Sequence, residues 1–464
     1  MSHLTVESTA REMVAAIRAR EISARELLEL HLTRIAERNP ELNAVVSLDA
    51  ERARAGAAHA DEQTARGEAL GPLHGLPFAF KDTHDVAGWR TTYGSPLFAD
   101  HVPDADDLIV QRTRDAGVVT IGKTNVPEFA AGSHTFNTVF GTTRNPVDPT
   151  RSAGGSSGGA ACALRAGMVP LADGSDMGGS LRNPASFCGV VGLRPSLGRV
   201  PSWPTDNLWE TTSTSGPLAR NVDDLALLLS VIAGPDDRVP TALADAGADF
   251  AIPPEVGVDG LSVALSPDLG GLFDVDTEVR RVVEEAGASL AAAGAHVDEA
   301  HPDLSEADDT FRTLRAWLFW TGLGDLLEAH RDSFKQSLAD NIRAGRGLTG
   351  ADVARGYAQR TLLAERMRQF FQRYDVLVLP TSQVPPFPAD QEFPHDINGV
   401  PMATYLDWMR SAYVITVTGC PAISVPAGPT PDGLPVGVQI VAPFGQDARL
   451  LGVARAFEQL RQHG

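Results

Sequence analysis

Cysteine is scarce in this chain of 464 residues: Cys162, Cys188 and Cys420 are the only three. An odd, sparse count excludes a disulfide framework, and no pair stands at zinc-ligand spacing. Long apolar runs are missing as well. No stretch reaches the roughly 18 uninterrupted apolar residues of a bilayer-spanning helix. Glu7, Arg11 and Glu12 break up the N-terminus where a signal segment needs an apolar run. Basic residues are outnumbered, 39 Lys and Arg against 59 Asp and Glu, for a formal net charge of −20. That balance argues against a nucleic-acid or anionic-membrane partner, since either selects a basic face. The chain therefore reads as cytoplasmic, with neither nucleic acid nor membrane as partner. No metal or other cofactor is expected.

Lysine is rarer still. Arginine fills nearly every basic position, and only Lys81, Lys123 and Lys335 occur. Histidine is absent between His134 and His296, and none stands in a recognisable triad arrangement. These two shortages matter once a nucleophile has been found.

What is present suffices for a large core. The chain is 43% hydrophobic and longer than the ~250–300 residues at which single cores stop growing. Two domains, or one α/β domain with an insertion, are the alternatives. Residues 8–38 read as two amphipathic helices, with Ser23 and Glu26 as a capping box. Residues 43–48 read as a short strand and 50–66 as a helix. Apolar strand-like runs at 76–80, 118–121, 169–172 and 190–193 then alternate with helical periods at 106–116 and 221–233. That alternation predicts an α/β fold, a large mixed twisted sheet with helices on both faces. From about 240 to 400 long helices dominate (277–293, 305–345, 350–373), interrupted by strands at 261–265 and 376–379. A loop with Pro380, Pro385, Pro386 and Pro388 follows. Strands at 422–425 and 436–441 and a helix at 446–461 close the chain. The helical middle is read as a cap inserted into one core.

The chemistry concentrates at 151–194, in Arg151-Ser-Ala-Gly-Gly-Ser-Ser-Gly-Gly-Ala160 and Gly174-Ser-Asp-Met-Gly-Gly-Ser180-Leu-Arg-Asn-Pro184. Glycine costs conformational entropy wherever it is used, so repeated glycine beside serine implies a close approach of backbone to something. An oxyanion hole is one reason: N–H groups of Met177, Gly178, Gly179 and Ser180 could converge on a carbonyl attacked by Ser180. The alternative, a flexible Gly/Ser linker, fits poorly between apolar strands. A serine nucleophile needs a base. With histidine absent, lysine is the other option. Lys81 ends the apolar run Leu76-Pro-Phe-Ala-Phe-Lys-Asp82, where burial would lower its pKa and leave a neutral amine able to accept a proton. Arginine could not do this. The competing reading is a surface lysine neutralised by Asp82.

Lys81, the Gly154–Gly159 stretch and Ser180 within Asp176-Met-Gly-Gly-Ser-Leu-Arg182 together resemble the amidase-signature hydrolases. The resemblance extends to Thr91-Thr-Tyr-Gly-Ser95, Gly122-Lys-Thr-Asn-Val-Pro-Glu-Phe-Ala130, Gly216-Pro-Leu-Ala-Arg220, Cys420-Pro-Ala-Ile-Ser-Val-Pro426 and Gly433-Leu-Pro-Val-Gly-Val-Gln439. It covers roughly 70–235 and 370–460. It implies a Ser–cisSer–Lys triad in which the bridging serine precedes the nucleophile by 24 residues, which selects Ser156. It also implies a cis Gly155–Ser156 peptide and an acyl-enzyme on Ser180. Ser157, Asp176 and Arg182 are expected to support the site. The expected organisation is one amidase-signature domain over 1–464: N-terminal helices to 64, a core of about 65–240 and 370–464, and the helical cap at about 241–370.

Two motifs are decoys. Gly117-Val-Val-Thr-Ile-Gly-Lys-Thr124 matches a phosphate-binding loop, but its β-branched residues belong in a strand and Pro127 leaves no room for the required helix. Gly154-Gly-Ser-Ser-Gly158 matches a nucleophile elbow, but no downstream Asp and His are marked.

The expected activity is cleavage of small aryl or alkyl amides. A carbamate (urethane) or ester hydrolase with the same triad is the alternative, and the glutamine-hydrolysing component of glutamyl-tRNA amidotransferase is a further class. Residues 405–413 do not look like that component's glutamine-holding region. The partner is a small-molecule amide, carbamate or ester, and a homodimer is left open. The pocket is expected to draw on the Pro-rich loop, on residues 402–413 with Tyr413, and on Phe136, Trp203, Leu208, Trp209, Leu318 and Trp320.

Overall fold

The computed structural model describes residues 4–463. Two helices, Ala10–Arg18 and Ala24–Leu42, open the chain, each started by a reciprocal capping box: Thr9 with Glu12, and Ser23 with Glu26. Each box satisfies orphan N–H groups of the first turn. Helix Ala50–Arg66 follows, closed by Gly67 in the left-handed conformation.

The centre is an eight-stranded mixed sheet. Its strands run in the order 296–299, 262–265, 376–380, 435–441, 422–429, 191–194, 214–219, 171–176. The first three pair in parallel and the rest antiparallel. Helices flank the sheet, and side chains such as Leu193, Val263, Leu377 and Ile423 are fully buried. A second, three-stranded sheet carries Val45–Val46, Val119–Thr124 and Pro77–Lys81. Its last two strands run parallel, with Phe80 opposite Lys123 and Lys81 opposite Thr124. Both lysines therefore lie at the C-terminal ends of adjacent buried strands.

Two expectations from the sequence change. The segment read as a helical cap over about 241–370 contributes strands 262–265 and 296–299 to the central sheet, with helix Thr277–Ala292 between them. Val263 and Ala264 are fully buried, and a parallel pair needs a helical crossover of this length. Only the helices Ala307–Ala329, Gln336–Ala344 and Gly350–Phe370 stand outside the sheet region. The expected single helix over 305–345 is also broken, by the short turn Arg331–Ser333. Among the described residues no helix is long and apolar enough to cross a membrane.

Candidate active site

Three segments meet at one point: the end of strand Pro77–Lys81, the glycine-rich turn leading into helix Gly158–Arg165, and the loop after strand Leu171–Asp176. Glycine permits the close approach. A Cβ on Gly174 would lie 2.6 Å from Ser157 Oγ, and one on Gly179 would lie 2.6 Å from the Ala412 side chain. Gly179 also has φ +111, a left-handed conformation that favours glycine.

Lys81 is fully buried. Its Nζ lies 2.8 Å from Ser156 Oγ, 3.0 Å from Ser157 Oγ, 2.9 Å from Ser175 Oγ and 3.4 Å from the Ser175 carbonyl. Burial lowers its pKa from 10.5 to about 7, against the pull of Asp173 and Asp176, which favour the ammonium. A neutral amine has two N–H donors and one lone pair, and each hydroxyl can turn to donate or accept. With three hydroxyls around one nitrogen, Ser156 can give its proton to the lone pair while the other two accept. Ser157 also fixes the nucleophile loop, its N–H donating to the Ser180 carbonyl at 3.2 Å. The Gly155–Ser156 peptide is cis.

Asp176 organises the loop that carries Ser180. Its carboxylate accepts from the N–H groups of Gly179 at 2.8 Å and Leu181 at 3.1 Å. It also takes two bonds from Arg182, at 3.0 and 2.9 Å. Burial alone would raise its pKa, but the Arg182 and Arg194 guanidinium groups hold it well below the usual carboxylate range. Arg182 in turn ties the loop to the Ala412 carbonyl, Gln439 and Thr416. Removing Asp176 leaves the buried Arg182 and Arg194 guanidinium groups without their shared counter-charge.

The expected oxyanion donors need one correction. The Gly179 N–H already donates to Asp176 at 2.8 Å, so it is not a free donor. The N–H groups of Met177, Gly178 and Ser180 have no protein acceptor among the described residues. Met177, Gly178 and Ser180 line a cavity of about 120 Å³ together with Ser156, Ser175, Phe129, Phe311, Arg315, Phe319 and Met409.

The four aromatics expected in the pocket are elsewhere. Tyr413 is fully buried behind the wall, stacked on Phe311 at 4.3 Å, with its hydroxyl donating to Asp308. Phe136 packs on His134 and under Lys335. Trp320 packs near Gly324 and Arg346, and Trp209 is 68% exposed. Trp203, Leu208 and Leu318 are not in the lining either. Of the expected pocket segments, 402–413 supplies Met409, while the Pro-rich loop pairs with Arg151 instead. The phosphate-loop decoy is a strand, and its Lys123 is buried.

Sequence reasoning missed Asp173 and Ser175. Alternate residues of a strand share one face, and these two meet Lys81 in turn: Asp173 accepts its backbone N–H at 2.9 Å and Ser175 meets its Nζ. The signal that could have found them is the two-residue period of strand Leu171–Asp176.

The amidase family model matches residues 26–451. The chain belongs to the amidase family. An acylamidase of Rhodococcus erythropolis is 38% identical over 98% of this chain and 95% of its own length. A component of the glutamyl-tRNA(Gln) amidotransferase of Synechococcus sp. (strain CC9605) is 37% identical, covering 95% of this chain and 94% of its own. A bacterial aryl acylamidase of the amidase signature family superposes with a TM-score of 0.90 at 30% identity, over 98% of this chain and 96% of that one. As a family member this chain is a hydrolase acting on a carbon–nitrogen bond.

Proposed function

We propose that this amidase cleaves small aryl or alkyl amides through an acyl-enzyme on Ser180, with Ser156 and Lys81 as the proton relay. The observation that carries the reading is the 2.8 Å contact between Lys81 Nζ and Ser156 Oγ at a buried lysine whose pKa is lowered to about 7. Neutral Lys81 takes the Ser156 proton as Ser156 takes the proton of Ser180. Ser180 Oγ attacks the amide carbon, and the carbonyl oxygen gains charge facing the N–H groups of Met177, Gly178 and Ser180. Each such donor is typically worth ~3 kcal/mol in the transition state. As the tetrahedral intermediate collapses, Ser156 protonates the departing nitrogen and recovers a proton from Lys81. Amides need this step more than esters, since amide nitrogen leaves poorly unprotonated. Water, deprotonated by the same relay, then releases the acid and restores Ser180.

The acylamidase and aryl acylamidase likenesses support an amide rather than a carbamate or a simple ester as the preferred substrate. The cavity's apolar wall of Phe129, Phe311, Phe319 and Met409 suits an aryl or short alkyl group.

A hydrolysis panel of anilides, carbamates, p-nitrophenyl esters and glutamine tests the reading, with Ser180→Ala as control. Anilide turnover that disappears in Ser180→Ala is the expected result. Anilide activity surviving in that variant would overturn the mechanism, and glutamine as the preferred substrate would move the chain to the amidotransferase class.

A further inference from the structure

Arg315 is the cavity residue that the relay leaves without a task. It stands on helix Ala307–Ala329, is 6% exposed, and lines the same cavity as Ser156 and Ser180. Its charge meets no acid: among the described residues it forms no ion pair within 4.0 Å. Its side-chain hydrogen bonds go to two neutral groups, the Asn341 carbonyl oxygen and the Tyr405 hydroxyl. One face lies 3.9 Å from the Phe319 ring centroid.

Other buried cations have either an acid or a fuller set of acceptors. Arg182 and Arg194 share Asp176, and Arg199 has Asp447 and Asp245. Arg360 spends its donors on the Val417 carbonyl and on Thr211. Lys335, close to the same cavity, has Glu392 at 3.0 Å. Two neutral acceptors for five N–H donors leave most of the Arg315 fork unspent.

A cation held out of water is costly without a counter-charge. In a cavity that takes substrate, the substrate can bring the missing anion. Arginine's planar fork matches a carboxylate with two parallel bonds, and the apolar side chains of Phe129, Phe311, Phe319 and Met409 around it lower the local polarity, which strengthens such a pairing. We infer that Arg315 is a specificity-determining residue that favours amides bearing a carboxylate on the acyl or the amine half. This rests on the reading of Ser180 as nucleophile and narrows its substrate class.

Two matched substrate pairs test it. Succinic acid monoanilide is compared with 4-methylpentananilide, and 4-acetamidobenzoate with 4′-isopropylacetanilide; in each neutral partner an isopropyl group replaces the carboxylate. The wild-type chain should show a charged-to-neutral kcat/KM ratio above ~10 in at least one pair, the size of effect a paired guanidinium commonly supplies. Arg315→Met should reduce that ratio at least ~10-fold, and Arg315→Lys should keep part of it. A ratio near one in both pairs, or one unchanged in Arg315→Met, overturns the inference. A wild-type measurement stands in if the variant does not fold. Succinate should compete with a neutral anilide more strongly than succinamide does, and the reverse order contradicts the proposal. Neutral anilides cleaved in a Ser180-dependent way without any anion preference would sink this inference alone. No Ser180-dependent anilide cleavage at all would sink the earlier reading.

Discussion

Lys81 and Lys123 end adjacent parallel strands, both are fully buried, and burial lowers both, to about 7 and about 8. They differ in what they face. Lys123 Nζ has the Asp82 carboxylate at 4.0 Å, Thr91 Oγ1 at 2.8 Å, and the His84 carbonyl. Lys81 has no carboxylate partner within 4.0 Å among the described residues, only three hydroxyls and a carbonyl. The reading of Lys81 as a lysine neutralised by Asp82 therefore fails for a definite reason: Asp82 serves Lys123 and Thr92. A buried lysine beside an acid ties strands together, whereas one beside hydroxyls is placed to exchange protons.

Substitution should separate the two lysines. Lys81→Met should lower kcat for a neutral anilide ~10⁴-fold or more, the scale of losing one member of a relay that acts as a unit. Steady-state assays at pH 8 check this. Ser156→Ala should cost ~10³-fold on the anilide and less on a p-nitrophenyl ester, because the ester's leaving group needs no proton. Equal losses on both substrates would remove Ser156 from leaving-group protonation. Lys123→Met should act on the other axis. It leaves Asp82 buried without its cation, so chemical denaturation should show a loss of ~3 kcal/mol or more, with kcat for the folded protein changed far less than in Lys81→Met.

Titration should separate them further. Only neutral Lys81 can accept a proton, so kcat/KM for an uncharged anilide should rise through about pH 7 and level off above it. Stability has its own sign. The folded-state pKa of Lys81 is depressed, so the cost of burying it is complete below about pH 7. That cost is relieved as pH rises toward 10.5, where the unfolded chain also loses the proton. The stability of the wild type relative to Lys81→Met should therefore improve between about pH 7 and 10.5. Smallest of all, Ser175→Ala should cost ~10-fold or less in kcat, since it removes one of three hydroxyls around Nζ.

The residues of the proposed relay were legible in the sequence because their types are unusual where they stand. A lysine closing the apolar run 76–80 in a chain with three lysines, and serines in glycine-rich turns, are local signals, whereas Ser156 as the bridge comes from the 24-residue spacing that the amidase-signature resemblance implies. Scarcity alone did not single out Lys81, since Lys123 and Lys335 also have lowered values. The pocket was not legible. Aromatic identity carries no direction, and Tyr413 sits one layer behind Phe311 rather than in the cavity. Phe311, Arg315 and Phe319 recur at a spacing of four on helix Ala307–Ala329, which marks one helix face. Nothing in that spacing says whether the face meets a core or a cavity. The strand at 261–265 was legible as a short apolar run, but strand 296–299 was not: it is short, largely exposed and polar, so the long helices around it dominate the pattern.

Trapping the covalent intermediate and locating it tests the relay at its centre. A fluorophosphonate probe should modify Ser180, identified by mass spectrometry of the peptide spanning 177–182. Labelling should be absent in Ser180→Ala and at least ~100-fold slower in Lys81→Met. A label on any other residue, or full-rate labelling of Ser180 without Lys81, would contradict the relay proposed for this amidase.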